Sequence, residues 1–158
     1  MGERAQALAE RFERANEELA TLIEGCSDAQ WKAICKGEGW SVGVTAHHVA
    51  FDQDHIVRWF QAIATGQPLP PPAEGGLDAA NARHAAQYAS CTKEETLALL
   101  RSGGMAAARA VRELTDEQLD RAATTPGRPS WTAGEVVERI LIGHVYSHMA
   151  SIRAAIGG

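Results

Sequence analysis

Three short stretches constrain this chain more than any other feature: Ser27-Asp28-Ala29-Gln30, Thr92-Lys93-Glu94-Glu95 and Thr115-Asp116-Glu117-Gln118. Each is a Ser or Thr followed three residues later by Glu or Gln. In such a capping box the hydroxyl accepts from the backbone N–H three residues on, and the Glu or Gln side chain accepts from the N–H of the Ser or Thr. Three boxes predict three helix starts. No segment shows the sustained apolar–polar alternation, rich in β-branched residues, that marks a strand.

Apolar spacing supplies the remaining helices. Residues 3–24 place Leu8, Phe12, Ala15, Leu19, Leu22 and Ile23 three and four apart, an amphipathic helix stopped by Gly25. The box at Ser27 opens a short helix that Gly37 and Gly39 end, and a long helix runs from about Ser41 to Thr65. GQPLPPPAEGG (66–76), with four prolines and three glycines, cannot continue it and is a crossing loop. LDAANARHAAQYA (77–89) predicts a shorter helix, and the box at Thr92 starts one that reaches about Leu114. Gly103 and Gly104 weaken that helix by ~1 kcal/mol each relative to alanine, so a close helix approach or a bend is expected there. The box at Thr115 opens another short helix, TTPGRPS (124–130) is a loop, and 132–156 form the last long helix. The expected architecture is all-α: a four-helix bundle with short accessory helices, one domain over residues 1–158.

The halves echo each other. Ser27-Asp-Ala-Gln leads through a Gly-rich loop to Trp40-Ser41 and a long helix; Thr115-Asp-Glu-Gln leads through a Pro/Gly loop to Trp131-Thr132 and another. In each, the Ser or Thr after Trp can cap the helix while Trp packs where the loop joins it. This order pairs the two helices that carry most of the histidines.

His144 and His148 are four apart, about 40° on a helical wheel, so they share a face. Val137, Ile140, Ile152 and Ala155 fall on the same face by spacing, which turns the pair toward the core. A buried imidazole needs hydrogen-bond partners or a metal. Candidates for a third ligand are His47, His48, His55 and His84. On the 42–65 helix the stripe through His48 holds Val44, Phe51, Asp52, His55, Trp59 and Ile63; that through His47 holds Gly43, Asp54 and Arg58. His48 is therefore expected to point inward and His47 outward, and His84, in an alanine-rich segment, is expected at the surface. Three neutral imidazoles suit Zn²⁺ or Ni²⁺ and leave positions open for water and substrate. The plainer alternative is three core histidines bonded to Tyr146, Asp52 or backbone carbonyls.

Trp40-Ser41 followed by His48, together with the terminal His144-x-x-x-His148, resembles the two signatures of the DinB-like (YfiT-like) metalloproteins, related to bacillithiol- and mycothiol-dependent transferases. The order of elements is similar along nearly the whole chain. The resemblance implies a four-helix bundle with one divalent metal on His48, His144 and His148. It also implies a homodimer and a small-molecule substrate, with a low-molecular-weight thiol as co-substrate. The metal would stabilise a thiolate or hydroxide at neutral pH, giving a thiol S-transferase or a hydrolase. Asp52 or His55, along the helix from His48, is expected to orient a ligand or act as general base. A non-catalytic small-ligand or stress-associated module is the alternative function.

Composition excludes other classes. A formal net charge of −5 argues against a nucleic-acid grip. No apolar run approaches the ~20 residues of a membrane span, and the charged N-terminus lacks the apolar core of a secretory signal. Cys26, Cys35 and Cys91, odd in number and without C-x-x-C spacing, are expected to be reduced thiols of a cytoplasmic protein.

Overall fold

The computed structural model describes residues 2–124 and 130–157. Most of the expected TTPGRPS loop therefore lies outside the described residues. The first helix, α1 (Glu3–Glu24), buries Ala5, Ala9, Phe12, Ala15, Leu19 and Ile23, the stripe that three- and four-residue spacing dictates. All three boxes form. Gln30, Glu95 and Gln118 each donate their backbone N–H to the hydroxyl three residues back, at 3.1 Å in every case. They open α2 (Asp28–Lys32), α5 (Lys93–Arg112) and α6 (Asp116–Asp120). A fourth box, Thr132 with Glu135, opens the last helical rod.

Helix α3 (Val42–Thr65) starts at Ser41, whose hydroxyl accepts from Val44 N–H at 3.0 Å, and stops at Gly66, where φ is +70°. The final rod is α7 (Ala133–Glu135), a π-helical segment (Val136–Ile142) and α8 (Gly143–Gly157), joined without leaving helical backbone. Helix α1 packs on α5 and the rod, and α3 packs on the same two. Helices α1 and α3 thus sit across one diagonal and α5 and the rod across the other, while α3 and α5 are side by side.

Ion pairs give the directions. Arg101 meets Glu24 and Arg112 meets Glu13, so α5 runs antiparallel to α1. Arg11 meets Glu138 and Arg153 meets Glu18, so the rod runs parallel to α1. His48 beside His144 and Trp59 beside Trp131 make α3 antiparallel to the rod, and hence parallel to its neighbour α5. Parallel neighbours need a crossover, and residues 66–92 supply it through α4 (Leu77–Gln87).

The echo between halves is structural. Before α3, β1 (Ile34–Cys35) pairs with β2 (Trp40–Ser41); before the rod, β3 (Ala122–Ala123) pairs with β4 (Trp131–Thr132). Val42 donates to Ala33 O at 2.8 Å and Ala133 donates to Arg121 O at 3.0 Å, matching bonds from the first helical residue back to the end of the preceding short helix. Two-residue ladders of this kind leave no alternating pattern to read. Both tryptophans are half-buried at these junctions.

Two features modify the expected elements. The last helix is not α-helical throughout. In its π segment the buried residues are Val136, Val137, Leu141 and Ile142, two pairs five apart, which matches i→i+5 bonding. Leu141 therefore points into the core and Ile140 is only half-buried, whereas a 3.6-residue period placed Ile140 inside. At Gly104 the expected close approach is present, because a Cβ would overlap the Asn16 amide. Asn16 is held there, donating to Leu100 O at 2.9 Å and accepting from Gln53 Nε2 at 2.7 Å. That chain of polar groups joins α1, α3 and α5 inside the bundle. Among the described residues no helix is long and apolar enough to cross a membrane.

Candidate metal centre

The antiparallel contact of α3 with α8 brings His48 against His144 and His148. One ring nitrogen from each lies within 4.8 Å of the others. Nε2 of His48 and Nε2 of His144 are 3.0 Å apart. The rings stand edge to face, with centroids 4.8, 5.0 and 4.6 Å apart and interplanar angles of 67°, 84° and 88°. Three imidazoles grouped this way surround one point rather than stacking.

Burial sets the protonation of His48 and His144. The His48 imidazole is held down to about 3, first by burial and then by the neighbouring histidines. His144 is held down to about 4, by burial and then by His148. Both are neutral at pH 7, the form that donates a lone pair to a cation. The Asp52 carboxyl, pushed up to about 6 by burial, lies on the Nε2 side of the cluster. Its Oδ2 is 3.4 Å from His48 Nε2 and 3.9 Å from His144 Nε2. It thus faces the space the nitrogens face, instead of backing a ligand from its far nitrogen.

The donor set fits a divalent cation. Among the described residues, Nδ1 of His48 and Nδ1 of His144 are buried without a hydrogen-bond partner, so no bond there competes for ring orientation. Tyr146, a partner in the hydrogen-bonded alternative, is 43% exposed.

Four placements differ from the sequence expectation or went unforeseen. His47, expected outward, and His84, expected at the surface, are both buried and share a 2.8 Å hydrogen bond between His47 Nδ1 and His84 Nε2. Tyr88 stacks on His47 at 4.1 Å between centroids. The crossover helix α4 covers the face of α3 that an isolated helical wheel assigned to solvent. His55 is exposed and forms no hydrogen bond or ion pair with the three histidines among the described residues. Glu38 was not foreseen at all: its Oε2 lies 3.2 Å from His148 Nδ1. Trp40 packs on the same cluster, its ring centroid 5.1 Å from that of His48 and 6.5 Å from that of His148. A carboxylate two residues before Trp40, in the Gly-rich turn ahead of α3, is the sequence signal that points to Glu38.

The cysteines are free. Burial pushes all three thiols up, so none is a ready nucleophile at neutral pH.

A family model described as the DinB superfamily matches residues 11–152. Among solved structures, the mycothiol-dependent maleylpyruvate isomerase superposes with a TM-score of 0.76 at 14% identity, covering 94% of this chain and 60% of that one. YfiT from Bacillus subtilis, described as a probable metal-dependent hydrolase with an unusual four-helix bundle topology, gives 0.73 at 20% identity, covering 99% and 90%. At these identities the likeness is one of fold. No curated protein matches the chain.

Proposed function

The chain belongs to the DinB superfamily, and from that premise we propose that it is a divalent-metal-dependent enzyme acting on a small molecule. The observation that carries the reading is the convergence of three imidazoles from two helices, with a carboxylate on their open side. His48 and His144 would hold the metal through Nε2. His148 would hold it through Nε2 as well, because its Nδ1 faces Glu38. Nitrogen ligands of this kind suit Zn²⁺ or Ni²⁺. When bound, such a cation supplies the positive charge that lets a thiol or water lose its proton at neutral pH.

The protein's own groups do the rest. Asp52 Oδ2, 3.4 Å from His48 Nε2 and 3.9 Å from His144 Nε2, would receive that proton as general base. Trp40 packs against the His48 and His148 rings on one side of the cluster. His144 and Asp52 retain side-chain exposures of 20% and 29%, so the site opens on their side. The nucleophile is a low-molecular-weight thiol, which makes the reaction an S-transfer to an electrophilic substrate; with water in its place the site hydrolyses.

Metal analysis of freshly purified, tag-free protein comes first, followed by turnover of electrophiles with and without added thiols. Near-stoichiometric Zn or Ni and thiol-dependent turnover are expected. Metal-loaded protein that turns over esters but ignores every thiol would select hydrolysis, and protein with no affinity for either metal would end the reading.

A further inference from the structure

Glu38 is the carboxylate that the proposed reaction does not use. It lies in the turn of the β1–β2 hairpin, yet its side chain is only 11% exposed. Carboxylates are rarely that dry unless paired. Its partner is His148 Nδ1 at 3.2 Å. The turn is shaped to deliver it. Gly39 takes φ +77°, which side chains rarely adopt, and its N–H closes on Cys35 O at 2.8 Å. On the other flank Gly37 lies against α8, where a Cβ would sit 3.9 Å from Ser151 Oγ. The pairing of Cys35 with Trp40 then sets the Trp40 ring nearly parallel to His148, at 24°. One hairpin therefore meets both the edge and the face of a single imidazole. Among the described residues, Nδ1 of His48 and of His144 has no such partner.

A ring N–H donated to a carboxylate fixes the tautomer, aims the other nitrogen and raises its basicity. We infer that Glu38 is a positioning residue, resting on the metal-centre reading above: it accepts from His148 Nδ1–H so that Nε2 faces His48 and His144. The hairpin is its mount. His148 is then the ligand whose donor strength the protein tunes with a charge, while the other two are held by packing.

A purely structural tie between hairpin and α8 makes a different prediction. It would stabilise the metal-free fold and leave metal affinity alone. The test is Zn²⁺ affinity, by competition with a chromophoric chelator, for the full chain and its Glu38→Ala, Glu38→Gln and His48→Ala variants. Visible absorption of the Co²⁺-loaded proteins and melting of the metal-free ones accompany it. Glu38→Ala should weaken Zn²⁺ binding about 10–100-fold and shift the Co²⁺ bands. Glu38→Gln should lose clearly less, because its amide oxygen still accepts from Nδ1–H; being isosteric, it also carries the test if the alanine variant fails to fold. His48→Ala should lose nearly all binding. Wild-type affinity and an unchanged Co²⁺ spectrum in both Glu38 variants, with His48→Ala emptied, would overturn the role of Glu38 and leave the centre standing. Zn²⁺ retained by His48→Ala would overturn the centre itself.

Discussion

His144 and His148 share a face because four residues make about one turn, but each ring nitrogen meets something different. Alanine at His48, His144 or His148 should remove most bound metal, measured by elemental analysis after gel filtration, whereas alanine at exposed His55 should leave it in place. Acid should weaken the metal-free fold. Between about 3 or 4, where burial holds His48 and His144, and the ~6.5 of an unfolded histidine, the unfolded chain carries more protons. The stability these groups contribute is thus full above ~6.5 and declines as pH falls toward 4. His84, also held down to about 4, adds to the loss. Asp52, raised to about 6, opposes it, since its protonated form favours the fold as pH drops below that value. Three imidazoles outweigh one carboxyl, so the unfolding free energy of chelator-treated protein should be lower at pH 5 than at pH 7, by on the order of a few kcal/mol, and the urea midpoint should fall with it. A midpoint unchanged or higher at pH 5 would show that the histidines are not buried neutral.

Adjacent glycines in α5 separate two effects at the level of the element. Gly103 has ordinary clearance, 3.7 Å from a built Cβ to Gln53 Oε1, so Gly103→Ala should gain up to ~1 kcal/mol of helix propensity. At Gly104 the Cβ meets Asn16, whose amide is bonded on both sides and cannot retreat. Gly104→Ala should therefore cost ~1–3 kcal/mol, a melting temperature lower by roughly 2–12 °C in a chain of this size. Equal melting temperatures for the two variants would contradict the close packing of α1 on α5. The pair Gly103-Gly104 was legible as a weak point, but not which glycine the neighbour needs. Replacing Trp40 by alanine tests the hairpin junction: it strips the ring packed on His48 and His148, and should lower both the melting temperature and metal retention. Trp131→Ala, at the matching junction beside Trp59 and Arg139, should lower the melting temperature only.

Across the whole molecule, a ligand that binds the folded chain and not the unfolded one stabilises it by mass action. Metal at about 100 times its dissociation constant is worth ~2.7 kcal/mol, or roughly 5–11 °C here. Adding a chelator should lower the melting temperature by that order in the wild-type chain and by nothing in a His144→Ala, His148→Ala double variant. The homodimer that the family resemblance implies is a separate proposal, and sedimentation at micromolar concentrations should show a dimer mass; a strictly monomeric boundary would count against it.

What the sequence determined by itself was local. Capping boxes, apolar spacing and Gly or Pro stops act within a few residues, so the helices, their starts and the i,i+4 pairing of His144 with His148 were readable directly. Helix α2, however, ends at Lys32, before the glycines expected to stop it, where the chain turns into β1. The choice of His48 over His47 followed from the apolar stripe of one helix. The crossover decided what a stripe cannot. Because α3 and α5 run parallel, the chain must return over α3, and α4 buries His47 and His84 there. The π segment arose where core packing took Leu141 instead of Ile140. Glu38 joined the centre through a hairpin turn docked on a helix 110 residues away. Contacts between distant segments depend on how the elements assemble, and no local pattern encodes that.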